Sequence, residues 1–118
     1  MVAHVVLLAP RPDLTRDGRD AFIGALERAA REIPSVRRVR VGRRLRLGQP
    51  YEARTAGDFP FAAIFEFDDL GGLRAYLEHP AHEDLGARFY DSLADGFACD
   101  YEMADLGTVR QWLREPLS

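Results

Sequence analysis

The strongest constraint on the fold is the two-residue alternation of apolar side chains in two separate segments. In the segment Val36–Leu47, the apolar side chains on odd positions are Val39, Val41, Leu45 and Leu47. In the segment Phe61–Phe67, they are Phe61, Ala63, Phe65 and Phe67. A period of two is typical of a β-strand with one buried face. We therefore predict two strands of one sheet, with Gly42 as a bulge or bend.

Four helices and two further strands are predicted around these segments. The segment Arg16–Ile33 has apolar residues at helical spacing, with Thr15 or Asp13 as N-cap and Pro34 as its stop. Asp68 or Asp69 is the predicted N-cap of a second helix, which is closed by Pro80. A third, short helix is predicted from about His82 to Ala94, ended by Gly96. Strands are predicted at Val2–Ala9 and Phe97–Ala104, and a tail helix at Leu106–Glu115.

The element order is thus β-α-β-β-α-α-β, which predicts an α+β ferredoxin-like plait with helices on one sheet face. We assign residues 1–104 to one domain and residues 105–118 to the amphipathic tail. By strand parity, Phe97, Cys99 and Tyr101 are expected to face the helices with the phenylalanines of the third strand. The first strand is apolar on both sides, which favours a homodimer over the uncovered sheet face.

Charge is distributed unevenly along the chain. Residues 1–54 hold 12 arginines against six acids, and the remainder holds four arginines against 13 acids. The side of the sheet away from the helices is expected to carry Arg38, Arg40, Arg44, Arg46, Glu66, Asp100 and Glu102. We therefore predict that these arginines pair with these acids, partly across the dimer interface.

Composition excludes several classes of protein. There is one cysteine, so an intrachain disulfide is impossible, and the absence of lysine removes Schiff-base chemistry. The N-terminal apolar run is too short for a signal peptide or a membrane span, so a cytoplasmic domain without membrane contact is expected. Six arginines lie between Arg37 and Arg46, but the pI of about 5.6 argues against nucleic-acid binding.

Three stretches carry a resemblance to a known family: the strand that contains His4, the aromatic strand Phe61–Phe67, and the run LRAYLEHPAH from Leu73 to His82. Over about residues 2–103, the chain resembles the stress-responsive dimeric α/β-barrel (Dabb) family, in which ferredoxin-like subunits pair sheet to sheet. Some plant members are polyketide cyclases that use a Tyr–His pair for aldol condensation. The likeness to one of them, olivetolic acid cyclase, is distant, since Phe61 replaces a pocket histidine.

The resemblance implies a catalytic pair, Tyr76 and His82, and a pocket histidine, His4. It also places His4, Val6 and Leu8 on the helix side of the first strand. The pocket lining predicted on this basis consists of Val6, Leu8, Phe22, Leu26, Phe61, Ala63, Phe65, Leu77, Leu85 and Phe89. A histidine near a helix N-terminus tends to stay neutral, so His82 is a candidate base for proton abstraction next to a carbonyl.

Two functions of different classes remain open at this stage. The first is a cofactor-independent cyclase, isomerase or lyase acting on an apolar carbonyl or aromatic compound. The second is a stress-related ligand-binding protein without catalysis, in which His82 caps its helix and His4 bonds to the backbone. A cofactor-free monooxygenase of the same superfold is a further alternative. No cofactor is expected, and a metal site formed by His4, His79 and His82 lacks the usual ligand spacing.

Overall fold

The computed structural model describes residues 1–54 and 57–115, and its elements follow the predicted order. The strands are β1 (Val2–Pro10), β2 (Arg38–Arg43), β3 (Phe61–Phe67) and β4 (Leu93–Glu102). The helices are α1 (Arg16–Glu32), α2 (Leu70–Glu78), α3 (Pro80–Ser92) and the short α4 (Val109–Arg114). Short 3₁₀ turns occupy Pro50–Arg54 and Leu106–Thr108.

The four strands form one antiparallel sheet in the order β2-β3-β1-β4. The core lies between one face of this sheet and the helices α1, α2 and α3. Its largest fully buried side chains are Tyr76, Phe65 and Phe67. The predicted α+β ferredoxin-like plait is therefore confirmed.

The central strands β1 and β3 set which side chains face the helices. In their register, His4 is opposite Phe65 and Val6 is opposite Ala63, and all four are buried. The helix-facing sides predicted for these two strands are therefore confirmed. Since cross-strand partners point to the same side of a sheet, the register places His4 directly beside the aromatic core.

The face of β4 was predicted wrongly. In the register with β1, Leu7 is opposite Phe97 and Val5 is opposite Cys99, so this apolar set of β4 lies on the side away from the helices. Asp100, opposite His4, and Glu102, opposite Val2, lie on the helix-facing side instead of the predicted outer side. Alternation shows which residues share a face but not which face they take, and here both sides of the sheet are apolar.

The arginine strand is shorter than predicted. β2 ends at Arg43, so Leu45 and Leu47 lie beyond it and are exposed, while Gly42 sits in regular register opposite Ala62 without a bulge. Arg38 and Arg40 take the predicted side, next to the outer face of β3. The carboxylate of Asp58 accepts hydrogen bonds from Arg44 and Arg46 of the same chain, at 3.0 and 2.6 Å.

Side-chain caps define where the helices begin. Thr15 accepts from the backbone N–H of Gly18, and Asp69 accepts from that of Gly72, which confirms the predicted caps of α1 and α2. α3 begins earlier than predicted because Pro80 occupies its first turn, where a missing N–H costs nothing. It also ends earlier, at Ser92, and Gly96 lies inside β4 rather than after the helix.

The predicted tail helix forms only in part, as a 3₁₀ turn followed by the six-residue α4. The remaining predicted tail residues, 116–118, and residues 55 and 56 of the predicted loop lie outside the described residues. Within the described ranges, no helix has the length and apolar character needed to cross a membrane.

Candidate functional site

An apolar cavity of about 340 Å³ lies between the sheet and the helices. Its floor is formed by the helix-facing side of the sheet, and its walls by α1, α2 and α3. The lining residues are His4, Val6, Leu8, Phe22, Leu26, Ala63, Phe65, Tyr76, Leu77, His82, Leu85, Gly86, Phe89, Tyr90 and Ala98. A cavity of this size with few polar groups is typical of small-molecule sites.

The lining agrees closely with the residues predicted from the sequence. The structure brings His4, Tyr76 and His82 together, with every predicted apolar lining residue except Phe61, at the start of β3. The sequence interpretation missed Gly86, Tyr90 and Ala98. Helical spacing from His82 was the signal available for Gly86 and Tyr90, while Ala98 was hidden by the wrong face assigned to β4.

His4 is held by a carboxylate that the sequence interpretation did not place there. Its Nδ1 lies 2.5 Å from Oδ1 of Asp100 on the neighbouring strand β4. An ionised carboxylate only accepts hydrogen bonds, so Nδ1 carries the proton and Nε2 is the ring nitrogen left for a ligand. The partner of His4 is therefore a side chain, not the backbone group considered above.

Tyr76 lies at the centre of an aromatic cluster. Its ring centroid is 5.1 Å from Phe65, 5.2 Å from Phe67 and 5.7 Å from His4. Burial raises the pKa of the Tyr76 hydroxyl far above its usual range, and the negative charge of Asp100 raises it further. The phenol therefore stays protonated and is able to donate a hydrogen bond.

His82 completes the polar end of the cavity. Its ring centroid is 4.7 Å from that of Tyr76, and its Nδ1 lies 3.1 Å from the Leu77 carbonyl oxygen. Because a carbonyl only accepts, Nδ1 donates, which leaves Nε2 without a proton in the neutral ring. Burial lowers the pKa of His82 below its ordinary value, and the nearby His4 lowers it further. His82 is thus a neutral proton acceptor at pH 7.

His79, the third histidine, has a structural position outside the cavity lining. Its Nδ1 accepts a hydrogen bond of 3.0 Å from the backbone N–H of Ala81, which caps α3. The cap predicted as an alternative role for His82 is therefore made by His79. Within the described part of the chain, no cluster of three or more His, Cys, Asp and Glu side chains is arranged to hold a metal ion.

Replacing His79 with alanine is expected to destabilise the protein by about 1 kcal/mol, a typical cost for a lost N-cap. His79→Asp should retain most of this stability, because aspartate is a strong cap. Urea unfolding of the three proteins measures the difference. If His79→Ala is as stable as the wild type, the hydrogen bond to Ala81 contributes nothing to α3.

The structure is a ferredoxin-like α+β domain with an apolar cavity whose polar lining includes two histidines and a tyrosine. Residues 2–103 match the family described as "Stress responsive A/B Barrel Domain" (Dabb). The chain therefore belongs to the Dabb family, as its resemblance had implied.

Solved structures agree with this assignment. A dimeric ferredoxin-like protein of unknown function from Thermobifida fusca is 28% identical, with a TM-score of 0.66 over 86% of this chain and 90% of that chain. A Dabb family protein from Mesorhizobium loti is 17% identical, with a TM-score of 0.68 over 88% and 97% of the two chains.

A hydroxynitrile lyase from Passiflora edulis is 16% identical, with a TM-score of 0.73 over 88% of this chain and 94% of that chain. This likeness, like that to the Mesorhizobium loti protein, shows the fold alone. No curated protein sequence matches the chain.

Proposed function

We propose that the chain binds an uncharged apolar carbonyl compound in this cavity and moves a proton on it without a cofactor. The observation that carries the proposal is the convergence of Tyr76 and His82, with ring centroids 4.7 Å apart, at one end of an otherwise apolar cavity. A protonated phenol and a neutral imidazole supply one acid and one base.

In the proposed reaction, Tyr76 donates a hydrogen bond to the carbonyl oxygen of the ligand. His82 Nε2 takes a proton from the carbon next to the carbonyl, and the electron pair of that C–H bond passes to the oxygen as an enolate. The donor is placed where negative charge develops, which is the most effective position for catalysis. Return of the proton to another carbon gives isomerisation. Attack of the enolate carbon on a second carbonyl of the same molecule closes a ring, and the alkoxide formed on that second carbonyl takes the proton back from His82.

His4 orients the carbonyl compound from the sheet side of the same cavity. The hydrogen bond to Asp100 fixes its ring, and Nε2, which carries no proton in the neutral ring, is left to accept a hydrogen bond from a hydroxyl group of the ligand rather than to bind the carbonyl oxygen. Asp100 is therefore a positioning residue. The hydroxynitrile lyase among the structural neighbours is compatible with a lyase, but at 16% identity the likeness is one of fold.

Direct binding of acetophenone, followed by NMR titration, tests the proposal. For so small a ligand, a Kd of about 1 mM is expected, equivalent to about 4 kcal/mol. Benzoate, of similar size, should bind more weakly, because the described lining contains no arginine and the chain has no lysine to balance the charge.

Tyr76→Phe should weaken acetophenone binding about 2–10-fold, the effect of one hydrogen bond. Tyr51→Phe, outside the cavity, is the matched control and should bind like the wild type. Equal affinities in all three proteins would exclude Tyr76 as the group that binds the carbonyl. Binding without any turnover would instead favour the non-catalytic ligand-binding alternative.

We further propose a homodimer formed over the outer face of the sheet, the face away from the helices. A cytoplasmic location, expected from the sequence, is part of the same proposal. Val5, Leu7, Ala62 and Ile64 lie on this face, and so do Phe97 and Tyr101, which are 52% and 53% exposed. The dimeric relative from Thermobifida fusca supports this arrangement. Asp100 faces His4, so apolar contact rather than pairing of Asp100 with arginine is expected to dominate association.

Val5→Asp is expected to convert a dimer into a 13.3 kDa monomer, because Val5 lies between Ile64 and Cys99 on the outer face, where the interface would bury the new carboxylate among apolar side chains. The control is Ile23→Asp, which alters an exposed isoleucine on α1, a helix that packs on the other side of the sheet. Sedimentation velocity at micromolar concentration distinguishes the two states. A wild-type protein that sediments as a 13.3 kDa monomer contradicts the proposed dimer.

A further inference from the structure

Gly86 is the one cavity-lining position of α3 without a side chain. It lies one turn after His82 and one turn before Tyr90, and all three residues line the cavity. Residues four apart share one face of a helix, so they form a row along the wall. The wall is therefore indented at its middle, between the polar end and Tyr90.

Glycine inside a helix needs a reason, because it is the least favourable residue there after proline. One common reason is the close approach of a neighbouring helix, and α3 packs beside α1. A Cβ atom built at position 86, however, meets no atom within 4 Å apart from its chain neighbours and the nearby backbone of its own helix. The space beside Gly86 is thus open, and close packing does not account for the glycine.

The side chains around Gly86 indicate which part of a ligand can lie beside it. Leu85 and Phe89 flank this position on α3, and Phe22 and Leu26 of α1 line the same cavity. These side chains favour an alkyl chain or an aromatic ring, while the groups that bind a carbonyl lie one turn away at His82. An uncharged compound with a carbonyl group at one end and an apolar body fits this arrangement, with the carbonyl at the polar end and the body beside Gly86.

We propose that Gly86 is a specificity-determining residue. Because it has no side chain, it leaves room for the apolar body of a ketone or aldehyde that is too long to fit within the polar end of the cavity. This inference rests on the proposed function, since it concerns the ligand of the same site. A side chain at position 86 would occupy the cavity itself, so it should exclude long ligands and spare short ones.

The test compares 2-nonanone with 2-butanone as ligands of the wild type, Gly86→Ala and Gly86→Leu, by NMR titration. Gly86→Leu should weaken 2-nonanone binding at least 10-fold and leave 2-butanone binding unchanged, and Gly86→Ala should have a smaller effect of the same kind. Gly24→Leu is the matched control, because Gly24 also lies within a helix with open space around it but does not line the cavity.

Thermal unfolding separates loss of binding from loss of structure. Gly86→Ala and Gly24→Ala should both raise Tm by a few degrees, because alanine favours the helix and neither added Cβ contacts a neighbouring side chain or element. The inference is overturned if Gly86→Leu is unfolded at 25 °C. It is equally overturned if Gly86→Leu is folded and binds 2-nonanone as tightly as the wild type does. A wild type that binds neither ketone contradicts the proposed function itself, whatever the Gly86 variants do.

Discussion

Wild-type protein should accelerate the exchange of the methyl protons of acetophenone for deuterium in D₂O, and His82→Gln should lose about 10²–10⁴-fold of that acceleration. The range is the usual contribution of a positioned general base. Glutamine retains a polar side chain of similar length but cannot accept the proton from carbon. Loss of the proton NMR signal of the methyl group over time measures the exchange rate directly.

The matched control is His79→Gln, the same substitution three residues earlier, where the histidine caps α3 outside the cavity lining. It should retain the exchange rate of the wild type at 25 °C. Tyr76→Phe should lose about 10²–10³-fold through the missing donor to the enolate oxygen. If His79→Gln and His82→Gln lose activity equally, His82 is not the base.

The pH dependence of exchange follows from the environment of His82. Since burial lowers its pKa, the imidazole stays neutral below pH 6.5, and the rate should decline only as the pH falls below that lowered pKa. The unfolded chain takes up the proton first, near pH 6.5, so this group also destabilises the fold as the pH falls. A rate that declines with rising pH through neutrality contradicts a neutral histidine base.

Phe67→Ala is expected to have the largest effect on stability, a loss of about 3–5 kcal/mol. Phe67 is completely buried, and its ring lies 5.2 Å from that of Tyr76. Removing it opens a hole in the aromatic cluster that the packed neighbours fill only in part. Phe67 does not line the ligand cavity, so the loss reports on packing alone.

Phe61→Ala in the same strand is the control, because Phe61 is 38% exposed at the start of β3. Its loss of stability should be clearly smaller than that of Phe67→Ala. Chemical denaturation with guanidinium measures both differences. Equal losses at the two positions would contradict the burial difference between the two ends of β3.

The phenylalanine strand could be predicted because alternation and burial agree there. Phe65 and Phe67 are buried on the side of the helices, and β1 presents His4 to the same side. The helix caps Thr15 and Asp69 could also be predicted, because an N-cap depends on local hydrogen bonds. Features that depend on local spacing or on one consistent apolar face could thus be predicted from the sequence.

The orientation of the edge strand β4 could not be predicted in the same way. Its apolar residues Phe97 and Tyr101 cover the outer sheet face, while the small residue Ala98 faces the helices and leaves space for the cavity. The rule that the larger apolar set faces the helices fails when the other sheet face is itself apolar. The same error hid Asp100, which is 96 residues from its partner His4 in the chain.

The position of acetophenone in the wild-type complex tests the central claim most directly. We expect intermolecular NOEs from its methyl group to the ring protons of both Tyr76 and His82, since the carbon that loses the proton must lie between them. NOEs from the ligand to Phe97 or Leu7 on the outer sheet face, without any to Tyr76 and His82, would contradict the proposed site.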